Sequence, residues 1–128
     1  MVTPIVRLRW FLVVLGFVML TALVPAVMPF AWMNFIHATL GLGNLPDAPI
    51  VHYLTRSCSM LYACGGALIL YLAMDVRRHV EIIRLGGILT VVGGVGLAAI
   101  DLNSGLPWFW VAGEGPCVVA LGVVMRVL

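Results

Sequence analysis

Four long apolar runs, separated by short polar or turn-forming segments, organise the chain. The first, residues 10–28, has Thr21 as its only polar side chain. At 1.5 Å per residue it covers about 28 Å, close to a bilayer's hydrocarbon core of about 30 Å. It predicts a membrane span over residues 8–28. The run is long for the apolar core of a signal peptide, although Val24-Pro25-Ala26 offers small-residue cleavage spacing. Further spans are predicted over residues 50–75, 80–101 and 107–127.

The segments between the runs carry their own patterns. Residues 29–41 place Phe30, Trp32, Met33, Phe35, Ile36 and Leu40 around a narrow stripe of Asn34, His37 and Gly41. This predicts an interfacial helix, begun by Pro29, ended by Gly41 and Gly43, with a tryptophan for the headgroup layer. The following turn, Asn44 to Pro49, offers Asp47 as an N-cap and Pro49 as a first-turn residue of the next helix. On that helix His52, Arg56 and Ser59 share a face. The segment Asp75 to Arg84 reads as a tight charged turn, in which Asp75 pairs with Arg78 or His79 and Glu81 with Arg84. In the third run Gly86/Gly87 recur as Gly93/Gly94, with Gly96 beyond. They form a small-residue seam for close helix packing, with Gly65/Gly66 of the second span as the expected counterpart. Pro107 begins the fourth helix, Trp108 and Trp110 anchor it at the interface, and Pro116 is expected to kink or loosen it.

Composition turns these patterns into a class. The chain of 128 residues is 63% hydrophobic and 9% charged, with mean hydropathy +1.16. A soluble domain carries about 25% charged residues. The chain therefore reads as one all-α integral membrane domain, a bundle of four transmembrane helices with an additional interfacial helix on the outer face. There is no basic patch with interleaved aromatics, so nucleic acid is not an expected partner; the lipid bilayer is. Cys58, Cys64 and Cys117 form no CxxC pair and read as small buried hydrophobes.

Charge sets the expected topology. Arg7, Arg9, Arg77, Arg78, Arg84 and Arg126 fall at one end of the spans, and Arg56 alone falls toward the other. Under the positive-inside rule both termini are cytoplasmic, in an inner (plasma) membrane. His37, Asp47 and Asp101 then lie outside.

The candidate chemistry lies near that outer end. Arg56 stands about 28 Å of helix rise from Asp75, and Asp101 about 25 Å from Arg84. Glu114 is only about 18 Å from Arg126, so it lies deeper, while Asp101 is level with Arg56 at the rim. An unpaired carboxylate at that depth is costly and tends to protonate. Glu114 is therefore expected to face the interior, either paired with Arg56 or neutral and hydrogen-bonded. Arg56, Asp101, Glu114, His52, His37 and Trp110 form the candidate polar cluster. It reads first as a structural clasp, then as a ligand site. No catalytic residue or metal site is assigned, because two histidines at no recognisable ligand spacing are a weak signal. The sequence implies no particular cofactor.

The motif pattern also resembles the DoxX-like group of small four-helix bacterial membrane proteins, mostly of unknown function. It does so through Arg56 with Leu61-Tyr62-Ala63-Cys64-Gly65-Gly66, through the Asp101 turn with Gly105-Leu106-Pro107, and through Glu114. The likeness runs from about residue 50 onward. It implies a four-helix membrane bundle, and for some members a link to redox or thiol-stress assemblies, whose paired-cysteine motif this chain lacks. The expected function is a non-enzymatic accessory or self-associating subunit, forming a homo-oligomer or part of a larger membrane complex. Two alternatives stand beside it: binding or transport of a small lipophilic or anionic ligand at the outer cluster, and a membrane enzyme using Glu114 as acid or base.

Overall fold

The computed structural model describes residues 3–128. Among them the secondary structure is all helix: α1 (Pro4–Leu20), α2 (Leu23–Val27), α3 (Phe30–Thr39), α4 (Pro49–Met74), α5 (Val80–Asn103) and α6 (Trp108–Val127). Four helical segments are long and apolar enough to cross a membrane: Pro4–Val27, Pro49–Met74, Val80–Asn103 and Trp108–Val127. The expected all-α, four-span architecture is the one observed, and α3 is the additional helix. The exterior is apolar, with Trp10, Phe17, Leu61, Leu68 and Val92 all exposed. Much of the interior is small, including Ala26, Ala63, Ala73, Gly87, Gly94, Gly115 and Gly122. Water does not support such an exterior; lipid does, and association of helices within lipid relies on close backbone approach. The chain is a multi-pass membrane protein.

By their contacts the residues form two units, Leu12–Tyr71 and a second made of the residues up to Phe11 with Leu72–Leu128. In the first, α1 and α4 meet at glycines. A methyl group placed on Gly66 would lie 2.7 Å from the Gly16 carbonyl oxygen and 2.9 Å from the Leu20 amide nitrogen. The first span breaks between α1 and α2 because Pro25 has no amide for the Thr21 carbonyl. That carbonyl instead accepts from Val24 at 3.0 Å, and the Thr21 hydroxyl donates back to Val18 at 2.6 Å.

Helix α3 is amphipathic as expected, and its polar stripe turns inward. The Asn34 side-chain oxygen accepts from the Leu45 amide at 2.7 Å, and His37 Nδ1 meets the Gly43 carbonyl at 2.8 Å. The stripe thus ties down the loop that follows, leaving Trp32, 66% exposed, with Phe35 and Ile36 on the outer face. That geometry suits a helix lying in the interface with its aromatic face in lipid. Gly41, at φ 77°, ends it in the left-handed conformation that favours glycine.

In the second unit α5 packs along α6. Methyl groups on Gly87 and Gly94 would meet the backbone at the Gly122 oxygen and the Val119 nitrogen, at 3.0 and 2.7 Å. Gly115 abuts Ala98, and Gly122 abuts the Gly87 carbonyl. The glycine seam is real but its partners differ from those expected: Gly87 and Gly94 pair with α6, and Gly66 pairs with Gly16 of α1. Gly93 and Gly96 face open space. Around the charged turn, Asp75 accepts from the Arg78 backbone amide at 3.2 Å, and Glu81 pairs with Arg84 at 3.3 Å. The cysteines differ from expectation too. All three are free and exposed, because an exterior facing lipid accommodates a thiol as readily as an interior does.

Candidate functional site

The six candidate residues fall three in each unit: Asp101, Trp110 and Glu114 in one, His37, His52 and Arg56 in the other. Pro107 caps α6, so the helix begins at Trp108, which is 81% exposed. Trp110 and Glu114 are one helical turn apart, and the Trp110 indole N–H donates to Glu114 Oε2 at 2.5 Å. Glu114 is half-buried, and its hydrogen-bond partner is Trp110. Two residues further on, Pro116 withholds the amide that would bond the Ala112 carbonyl. Helix α6 nevertheless continues through it to Val127.

Asp101 lies in the last turn of α5, the end at which helix rise put it, but it is turned inward. It is 4% exposed, and its Oδ2 atom is buried without a hydrogen-bond partner. Rise along an axis gives height and says nothing of direction around the helix. Direction was legible elsewhere: Gly87, Gly94 and Asp101 are seven residues apart, and with Ile83 they are the buried residues of α5. An open cleft of about 480 Å³ lies beside Asp101, lined also by Leu102, Leu106, Trp108, Val111 and Ala112. A buried carboxylate oxygen next to apolar walls can accept a hydrogen bond from an amine, a hydroxyl or water.

In the other unit, His52 Nε2 meets Asp47 Oδ1 at 2.7 Å, and its ring stacks on Phe30 with centroids 4.2 Å apart. Asp47 therefore holds a side chain instead of capping α4, which begins one residue too late for that role. Arg56 donates from its guanidinium to the Met28 carbonyl at 3.3 Å, at the C-cap of α2. A cation there satisfies one of the carbonyls left free at a helix end. His37 serves the Gly43 carbonyl. Among the described residues no three His, Cys, Asp or Glu side chains converge on a metal-sized space.

Comparison of the chain with protein-family models, with characterised proteins and with solved structures returns no match.

Proposed function

We propose that the chain is a small non-enzymatic subunit of the bacterial inner membrane that self-associates through α5, with both termini cytoplasmic. The observation that carries this reading is the open seam Leu89, Gly93, Gly96, Ile100. Its spacing of four, three and four residues is that of interlocking helices. Leu89 and Ile100 are 60% and 61% exposed, and methyl groups on Gly93 or Gly96 would meet nothing within 4 Å. The chain fills two other glycine seams, Gly16 with Gly66 and Gly87/Gly94 with Gly115/Gly122, whereas among the described residues Gly93 and Gly96 meet no partner. A second copy supplies the matching seam by symmetry. The likeness to the DoxX-like group supports a small membrane accessory protein, and six arginines at one end support the orientation. Native mass spectrometry from lipid-rich detergent tests it. The wild type is expected as a dimer or higher oligomer, and Gly93→Leu as a folded monomer with unchanged helical content. A monomeric wild type, or a variant that still associates, contradicts the reading.

A second reading, a binding site for a small hydrogen-bond donor, rests on the unpartnered Asp101 oxygen beside the cleft. Without ligand, that buried oxygen is a liability of about 1–3 kcal/mol. Asp101→Leu, which removes the unpartnered polar atom, is therefore expected to raise the unfolding stability of the ligand-free protein in detergent. If the variant is less stable instead, a group of the protein already satisfies the carboxylate and this reading goes.

A further inference from the structure

We propose that the arginine-rich end carries a binding site for the phosphate of an anionic phospholipid. A cleft of about 380 Å³ opens there, and Arg77, Arg84 and Arg126 line it from the turn after α4, from α5 and from α6. Its other lining is apolar, including the buried Leu8, Val76, Ile83 and Met125. Among the described residues no Asp or Glu side chain lines it, and Glu81 is paired with the lining Arg84 at 3.3 Å. Among the described residues Arg77 and Arg126 take part in no ion pair.

The geometry is built in part by a glycine. A methyl group on Gly87 would lie 2.8 Å from Arg126 Cγ, so the Arg126 stem lies across α5 where only glycine leaves room. Guanidinium groups match phosphate oxygens with paired hydrogen bonds. The level also fits, because Arg84 and Arg126 lie near the ends of two spans, where headgroups lie. Basic pockets between transmembrane helices bind anionic headgroups in this way. A free phosphate would use the three arginines alone. The buried apolar floor beneath them matches the start of an acyl chain, which favours a lipid as the source of the phosphate. The inference needs the spans, and it does not depend on self-association.

The test is lipid binding to delipidated protein in neutral detergent, read by native mass spectrometry with phosphatidylglycerol, with phosphatidylcholine and with inorganic phosphate. Phosphatidylglycerol is expected to remain bound about tenfold more strongly than phosphatidylcholine, given the attraction of each nearby cation for an anionic lipid. Arg77→Gln with Arg126→Gln should abolish that preference, and Arg77→Lys with Arg126→Lys should restore part of it. Arg7→Gln with Arg9→Gln removes the same amount of charge from the arginine-rich ends of the spans, outside the lining, and should leave the preference in place. Equal binding of the two lipids overturns the proposal, as does an equal loss in both glutamine pairs. Phosphate binding as strong as that of phosphatidylglycerol overturns the lipid assignment.

Discussion

Gly94→Ala is expected to separate α5 from α6, while Gly93→Ala, one residue away, leaves the fold intact. The difference lies in what a single methyl group meets. At Gly94 it would stand 2.7 Å from the Val119 backbone nitrogen and 3.0 Å from the Gly115 carbonyl oxygen. Backbone atoms cannot swing aside as a side-chain tip can, so the two helices must move apart along their seam. Overpacking of a tight contact costs about 1–3 kcal/mol and sometimes more. Here it also opens the neighbouring contacts of Gly87 with Gly122 and of Gly115 with Ala98. The loss should therefore reach about 3 kcal/mol, at the top of that range. At Gly93 the methyl meets nothing, and the gain in helix propensity makes the change neutral or stabilising by up to about 1 kcal/mol. Denaturant titration in detergent, followed by circular dichroism, measures both. Equal stability of the two variants would show that α5 and α6 do not meet at this seam.

Trp110→Phe should have the second largest effect. It keeps the aromatic body at the interface and removes the N–H that Glu114 accepts. Glu114 is half-buried on a span whose outer surface is apolar, so water replaces the lost donor poorly. Leaving a buried acceptor without its donor costs about 1–3 kcal/mol. Glu114→Gln keeps an acceptor for the indole and should change stability less than Trp110→Phe does. The double variant should then lose less than the sum of the single losses, and the shortfall measures the pair. Purely additive losses in the same unfolding assay would mean that the two side chains do not act together.

These two residues also mark how far the sequence could be read. The spans were legible because length and apolarity are properties of a run, and a bilayer fixes both. Helix α3 was legible because Asn34 and His37 interrupt an aromatic surface at helical spacing. Direction was harder. The height of Asp101 followed from counting residues, while its burial follows from the seven-residue spacing that puts it in line with Gly87 and Gly94, the glycines that pack against α6. The partner of Gly66 was missed because Gly16 is a lone glycine in an otherwise uniform run. The role of Arg56 was missed for a related reason: its acceptor is a main-chain carbonyl, at Met28, freed by a helix end that Pro25 helps to create. Glu114 was singled out as the carboxylate in need of a partner, and one is present a single turn before it. The four-residue spacing of Trp110 and Glu114 was available as a signal, but a tryptophan near a helix start reads first as an interface anchor.

The proposal that α5 joins copies of the chain is tested most directly by cross-linking in a bilayer. Single cysteines are placed along α5 in a background whose natural cysteines, at 58, 64 and 117, are replaced by alanine. At about 100° per residue, positions 93 and 96 share the open face, whereas Val95 points well away from it. Oxidation in lipid vesicles is expected to join Gly93→Cys and Gly96→Cys chains into disulfide-linked dimers and to leave Val95→Cys monomeric. Cross-linking that is equal at the three positions, or absent from 93 and 96, would contradict the account.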